Sequence, residues 1–291
     1  MTLLWDRRST VTVGTIQIQS RGLADQGPGD LRFSFDVTKT IRPEPNKCTL
    51  RLFNLNGDHR SYLQQLSPIG STRGIPVQIE AGYAEGTSVI FLGDVRNAVS
   101  TKDGPDRITT LGGGDGEKVH QAARASQTFP KGTKPGDVVR ALAVSLGVKP
   151  GNLNAAISQI NTAFDGIFLG GTVITGRASD EMTRICKGLD LEWSIQNGVL
   201  QILDRKAALG KTAIVLNKDT GLLGNPTIGI DSKDKRQVVT CKSLLQPDVY
   251  PGRIVIVQSD DVQGQFRIEE THHQGDSRAE TWEVEIKGKR Y

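Results

Sequence analysis

Residues 129–148 read FPKGTKPGDVVRALAVSLGV, and residues 176–203 read GRASDEMTRICKGLDLEWSIQNGVLQIL. These two stretches carry helical spacing, whereas most of the chain alternates with a two-residue period. In the first, Val138, Leu142 and Leu146 recur every fourth residue. Thr133 is placed to cap that helix, Pro135 suits its first turn and Gly147 its end. In the second, Ser179 stands as the cap, with Asp180 and Glu181 in the first turn, where the helix dipole favours negative charge. Met182, Ile185, Cys186 and Leu189 share one face, and Gly188 lies near the end. Leu191, Trp193 and Ile195 then alternate with polar residues, and Asn197-Gly198 separates them from residues 199–203. Both positions of a tight hairpin turn need positive φ, which Asn-Gly supplies. The centre of the chain therefore reads helix, polar linker, helix, hairpin.

On the N-terminal side, residues 11–18 and 31–37 alternate, the latter with Leu31, Phe33, Phe35 and Val37 toward a core. Residues 21–30, with Gly27-Pro28-Gly29, read as a mobile loop between them. Pro43 and Pro45 interrupt before Cys48, Leu50 and Leu52 resume the period. A turn at residues 54–58 leads into a short helix carrying Tyr62, Leu63 and Leu66, which Pro68 and Gly70 end. Residues 77–83, 89–99 and 108–111 complete about six strands, the content of a small antiparallel barrel or sandwich. On the C-terminal side, residues 213–216, 237–245, 253–259, 265–270 and 280–287 are strand-like, the last with Trp282, Val284 and Ile286 on one face. The mixed-sign run DSKDKR at residues 231–236 reads as a solvated loop.

A chain of 291 residues suits two or three domains. Its 36% hydrophobic and 23% charged residues, with 33 glycines, describe a turn-rich globular protein. A net charge of +4 argues against a dedicated duplex DNA binder, which concentrates many more cations on one face. Cys48, Cys186 and Cys241 are far apart among apolar neighbours, and read as buried core residues in a reducing cytosol rather than as disulfides or metal ligands. No stretch has the length of a signal peptide or a membrane span.

Residues that could do chemistry are scarce. The glycine run Gly112-Gly113-Gly114-Asp115-Gly116-Glu117-Lys118 lacks phosphate-loop spacing: Glu117 separates Gly116 from Lys118, and no Ser or Thr follows. It reads as a flexible domain boundary. His272 and His273 are adjacent, so in a strand they point to opposite faces and cannot share one metal; a strand end or loop is their expected place. Asp180-Glu181 and Asp260-Asp261 could serve a glycosidase as acid and base, but the first pair suits a helix start and the second a turn. With aromatics at 5% and unclustered, there is no stacking platform, and Trp193 and Trp282 read as core. The sequence assigns no catalytic, cofactor or metal residue and leaves partner-binding residues unknown.

Three stretches resemble the baseplate hub proteins of phage tails, including the late control protein D type. They are IRPEPNKCTLRLFNLN (41–56), the central FPKGT…LGV (129–148) with LEWSIQNGVLQI (191–202), and LLQPDVYPGRIVIV (244–257) with GQFRIEETHHQGD (264–276) and the Trp282 strand. The motifs are turns and alternations, and their order over nearly the whole chain carries the likeness. The resemblance implies an α+β, mostly β fold with two tail-tube-like antiparallel β-barrels and an intervening small α/β region. The expected domains are 1–115, 116–205 and 206–291. It also implies a non-enzymatic, cofactor-free homotrimer in the virion tail baseplate, assembled in the host cytoplasm. Such a trimer joins the tail tube protein to a spike or needle, contacts the tape measure and other baseplate proteins, and encloses a channel that genome DNA crosses without sequence-specific binding. Three chains with two barrels each would present six modules to a six-fold tube. The Pro247-Asp248 and Pro251-Gly252 turns read as structural, fixing the register of the last barrel. Competing expectations are a cell-wall glycan hydrolase using Asp260 and Asp261, and the hub of a related contractile injection or secretion device.

Overall fold

The computed structural model describes residues 6–20, 30–66, 74–163, 171–232 and 234–291. The expected loop at 21–29, and Pro68 and Gly70 after the first helix, lie outside them. In chain order the elements are β1 (Arg7–Val13), β2 (Ile16–Ser20), β3 (Phe33–Thr40), β4 (Asn46–Phe53), α1 (Gly57–Leu66), β5 (Ile75–Tyr83), β6 (Gly86–Asp103), β7 (Asp106–Asp115), α2 (Glu117–Ala122), β8 (Arg124–Phe129), α3 (Pro135–Leu146) and α4 (Leu153–Ala163). There follow β9 (Thr172–Arg177), α5 (Ala178–Gly188), β10 (Leu191–Gln196), β11 (Val199–Asp204), β12 (Ile214–Leu216), β13 (Leu222–Ile230), β14 (Gln237–Leu244), β15 (Ile254–Gln258), β16 (Gln263–Asp276) and β17 (Trp282–Arg290). The chain divides into two compact units: Met1–Thr40, Asn46–Asp115 and Ala208–Tyr291 form the first, Ile41–Pro45 and Gly116–Ala207 the second. The fold is α+β and mostly β.

In the first unit, thirteen strands form one sheet, ordered β13-β14-β17-β16-β3-β4-β7-β6-β5-β1-β2, with β15 beside β16 and β12 beside β15. The two expected barrels are not closed. Among the described residues β13 and β2 each pair on one side only, so the ladder ends at both, and the N- and C-terminal strands share a sheet through β16 and β3. The reason lies in β16, whose fourteen residues serve two sets of neighbours. Its start pairs with β15, a bulge falls between Ile268 and Glu270, and residues from Glu270 onward pair with β3. A bulge re-aims a strand without ending it. Two apolar clusters nevertheless remain, one around Phe33, Leu50, Ile79 and Phe91, the other around Val239, Val255, Phe266 and Val284.

Residues 11–18 are not one strand: Gly14, at φ 57°, opens a turn that pairs Val13 with Ile16. The glycine run does hold a boundary between the two units, between Asp115 and Gly116, but most of it is strand rather than flexible linker. Gly112, Gly113 and Gly114 lie inside β7, paired with both β4 and β6. A Cβ at Gly93 would collide with the Gly114 carbonyl and one at Gly113 would crowd the Asp94 carbonyl at 3.2 Å, so close backbone approach between β6 and β7 accounts for glycine here. Gly116, at φ 71°, then turns the chain into α2. Within the described part of the DSKDKR run, Lys289 Nζ bridges Asp231 and Asp234 at 3.2 and 3.0 Å, and Asp234 also binds Arg236.

The second unit packs α3, α4 and α5 with two small antiparallel sheets, β8-β9 and β10-β11. Three of these elements, α4, β8 and β9, fall where a polar linker was expected or went unread. Leu153, Ala156, Ile157 and Ile160 are spaced i, i+3, i+4, i+7 and all buried, the mark of an amphipathic helix. Burying each of the three larger side chains contributes about 1.5–3 kcal/mol. The caps also differ from expectation. Lys134 precedes α3, while Thr133 Oγ1 donates to the Pro130 carbonyl at 2.8 Å. Arg177 precedes α5, and Ser179 Oγ donates to the His120 carbonyl at 3.1 Å. The Asn197-Gly198 turn is as read, with φ 54° and 72°.

Candidate interaction surfaces

The residues considered for chemistry are placed as follows. Asp180 and Glu181 occupy the first turn of α5, and Glu181 is bonded to Arg184 at 2.5 Å. Asp260 and Asp261 are exposed in the turn between β15 and β16. His272 and His273 sit in mid-strand, not at a strand end, because β16 runs on to Asp276. They do point to opposite faces. His272 Nε2 lies 2.7 Å from Asp36 Oδ1, while His273 is buried, where desolvation, and then the charge of Lys39, lowers its pKa to about 3. The three cysteines are free and buried. Among the described residues no group of three or more His, Cys, Asp or Glu is placed to hold a metal, and no helix is long and apolar enough to cross a membrane.

The most elaborate arrangement lies where the N- and C-terminal strands meet. On the outer face of that joint, Asp36 accepts from Gln274 Nε2 at 3.0 Å as well as contacting His272. Beside them a shallow cleft of about 390 Å³ is lined by Ser34, Asp36, Thr49, Arg51, Gln274 and Thr281 among others. Its lining includes Asp36, Asp276 and Arg51, so it presents hydrogen-bonding groups of both signs.

A knot of bonds fixes the rim of this joint. Arg32 binds Asp276 through Nη2 at 2.8 Å and Nε at 3.2 Å, and lies 4.5 Å above the Phe53 ring. The amides of Arg278 and Ala279 donate to Asp276 Oδ1. Burial opposes ionisation of Asp276, yet Arg32 and these amides hold its carboxyl below the usual range. Arg7 donates to the Ala279 and Glu280 carbonyls, both at 2.7 Å, and sits over Trp282. Trp282 in turn meets Phe35 edge-on, with ring centroids 5.6 Å apart.

Among the described residues, two further surfaces leave strand edges open. β13 has no partner beyond β14, and Ile228 and Ile230 are exposed on it, the latter at 71%. Past Val95, β6 keeps β7 as its only ladder partner and projects to a two-residue turn, Gly104-Pro105, with Gly104 at φ 57°. Open edges are templates for pairing with another chain.

The sequence pattern alone had given none of these positions a partner. The profile of the baseplate hub gp41 family matches residues 11–287. The chain belongs to that family. No curated protein sequence matches it. Solved structures resemble this hub chain in fold. A tail protein from Neisseria meningitidis MC58 superposes with TM-score 0.66 at 12% identity, covering 98% of this chain and 97% of that one. The 43 kDa tail protein of prophage MuSo2 from Shewanella oneidensis gives 0.65 at 9%, with the same coverage. The E. coli c3393 protein, described as a type VI secretion component resembling T4 tail proteins gp27 and gp5, gives 0.61 at 9%, over 97% of this chain and 76% of that one.

Proposed function

We propose that the chain is the non-enzymatic hub of a phage tail baseplate, a homotrimer that adapts a six-fold tail tube to a three-fold spike and encloses the central channel. The observation that carries this reading is the family match over residues 11–287. Two features support the geometry. The strands gather around two apolar clusters, so three copies offer six β-lobes. Among the described residues the shared sheet ends at β2 and β13, each paired on one side only, and in a ring each such edge has a neighbour to pair with.

In this reading residues 1–115 and 206–291 supply the tube-like modules and residues 116–205 the intervening α/β part. The tail tube protein docks on one side and the spike or needle on the other, with the tape measure protein and other baseplate proteins as further contacts. DNA passes without base-specific binding, and the particle's place is the virion tail, reached by assembly in the host cytoplasm. Helix-start and turn positions account for Asp180, Glu181, Asp260 and Asp261 without catalysis. Mass photometry of the purified chain, alone and with its spike protein, tests the proposal. A trimer that captures the spike is expected, and a persistent monomer that ignores it would sink the reading. Genes for capsid and tail proteins beside its own separate a phage from a related injection device.

A further inference from the structure

At the end of β3 the buried face of the sheet turns from apolar to polar in a single row. Register places Thr271 of β16 opposite Lys39 of β3, and Asn46 of β4 opposite Asp115 of β7. The β3-β4 ladder pairs Thr38 with Lys47, so its next step sets Lys39 against Asn46. Lys39 and Asn46 are each 2% exposed, Asp115 1% and Thr271 0%. In the same ladder the Phe53 amide donates to the Arg32 carbonyl, which fixes which pairs exchange hydrogen bonds. By that alternation Lys39 and Asn46 form a non-hydrogen-bonded pair, with Cα atoms about 4.5 Å apart and side chains close together.

The Asn46 carboxamide is held at both ends. Its Oδ1 accepts from the Thr40 amide at 3.0 Å, a bond that replaces the ladder where Pro45 interrupts it. Its Nδ2 faces Asp115 Oδ2 at 3.4 Å. Burial lowers the Lys39 pKa to about 8, against the opposing pull of Asp115, so the neutral amine is accessible near physiological pH. A buried charged pair is costly to keep dry, and passing one proton from Lys39 to Asp115 makes both groups neutral.

We propose that Lys39 and Asn46 join in an intramolecular isopeptide bond, with Asp115 carrying the proton. The neutral Lys39 Nζ attacks Asn46 Cγ, and the Thr40 amide steadies the negative charge that gathers on Oδ1. Asp115, placed against Nδ2, gives its proton to the leaving nitrogen and takes the one that Nζ releases. The Cγ–Nδ2 bond breaks, the Nζ–Cγ bond remains, and one ammonia departs. No oxidation state changes and no co-reactant is needed. The product is a covalent ring over residues 39–46 that fastens β3 to β4 where the proline-rich turn would let them fray.

Intact-mass measurement of the purified full chain, followed by tryptic mapping, tests this. The expected mass is the sequence mass less one ammonia. The peptide spanning residues 33–47 should resist cleavage after Lys39, carry that deficit, and give no backbone fragments between Lys39 and Asn46. Asp115→Asn and Lys39→Arg should each restore the full mass, with circular dichroism reporting whether they fold. The wild-type measurement decides even if they do not. A wild-type chain at full mass, or one that has lost ammonia yet is cleaved after Lys39, overturns the proposal. So does a deficit of one water with Lys39 joined to Asp115.

Discussion

The two apolar clusters of the large sheet are filled differently. The C-terminal cluster, built around Phe266, Val255 and Val284, draws all its residues from position 214 onward. The N-terminal cluster borrows Leu245 and Trp282 from the C-terminal strands. Arg7, Arg32 and the Phe33 amide tie residues 276–280, just before β17, to the N-terminal part of the chain. One lobe thus closes its own core and the other depends on chain made last. Two lobes of like alternation need not be independent, because a strand's face pattern does not say whose core its side chains enter.

Trp282→Ala should show the dependence most strongly. Removing a buried Trp costs about 3–5 kcal/mol, read as a lowered urea midpoint, and hydrogen exchange should quicken in β3, β4 and β5 more than in β14 and β15. Phe266→Ala should reverse that pattern. Equal loosening of both lobes by each change would break the comparison. Gly93→Val should be comparably severe, since its side chain would strike the Gly114 carbonyl between β6 and β7.

Arg32→Ala should cost less, about 1–2 kcal/mol after allowing for its partial exposure. The effect should fade in acid. Asp276 has its pKa lowered in the folded state, so the contribution is present above the unfolded carboxylate range and lost as pH falls through the folded value. His273 acts over a wider window. The folded protein keeps it neutral down to about pH 3, whereas the unfolded chain binds a proton below about pH 6.5. Stability should therefore fall between those values, and His273→Leu should flatten urea midpoints measured across them. Lys289→Ala, at the partly exposed Asp231–Asp234 turn, should cost below about 1 kcal/mol.

Much of this was legible in the residues. Alternation at Phe33, Phe35 and Val37 gave β3 its buried face, Asn197-Gly198 gave the β10-β11 hairpin, and 3.6-residue spacing gave α3 and α5. The α4 pattern was present at Leu153, Ala156, Ile157 and Ile160 but hidden among polar neighbours. Lys39 was also visible in principle, because it falls in phase with Phe33, Phe35 and Val37, where a surface lysine should not stand. Its meaning was not, since Asn46 and Asp115 are its neighbours only across the sheet.

By itself the sequence determined period, and through period which side of each strand or helix is apolar, because that depends on residues a few positions apart. Pairing was decided only in three dimensions. The bulge after Ile268 lets β16 serve both lobes, and Trp282 enters a core far away in sequence. Ladder bonds are made by backbone common to every residue, so alternation fixes a strand's faces while tertiary packing chooses its partners.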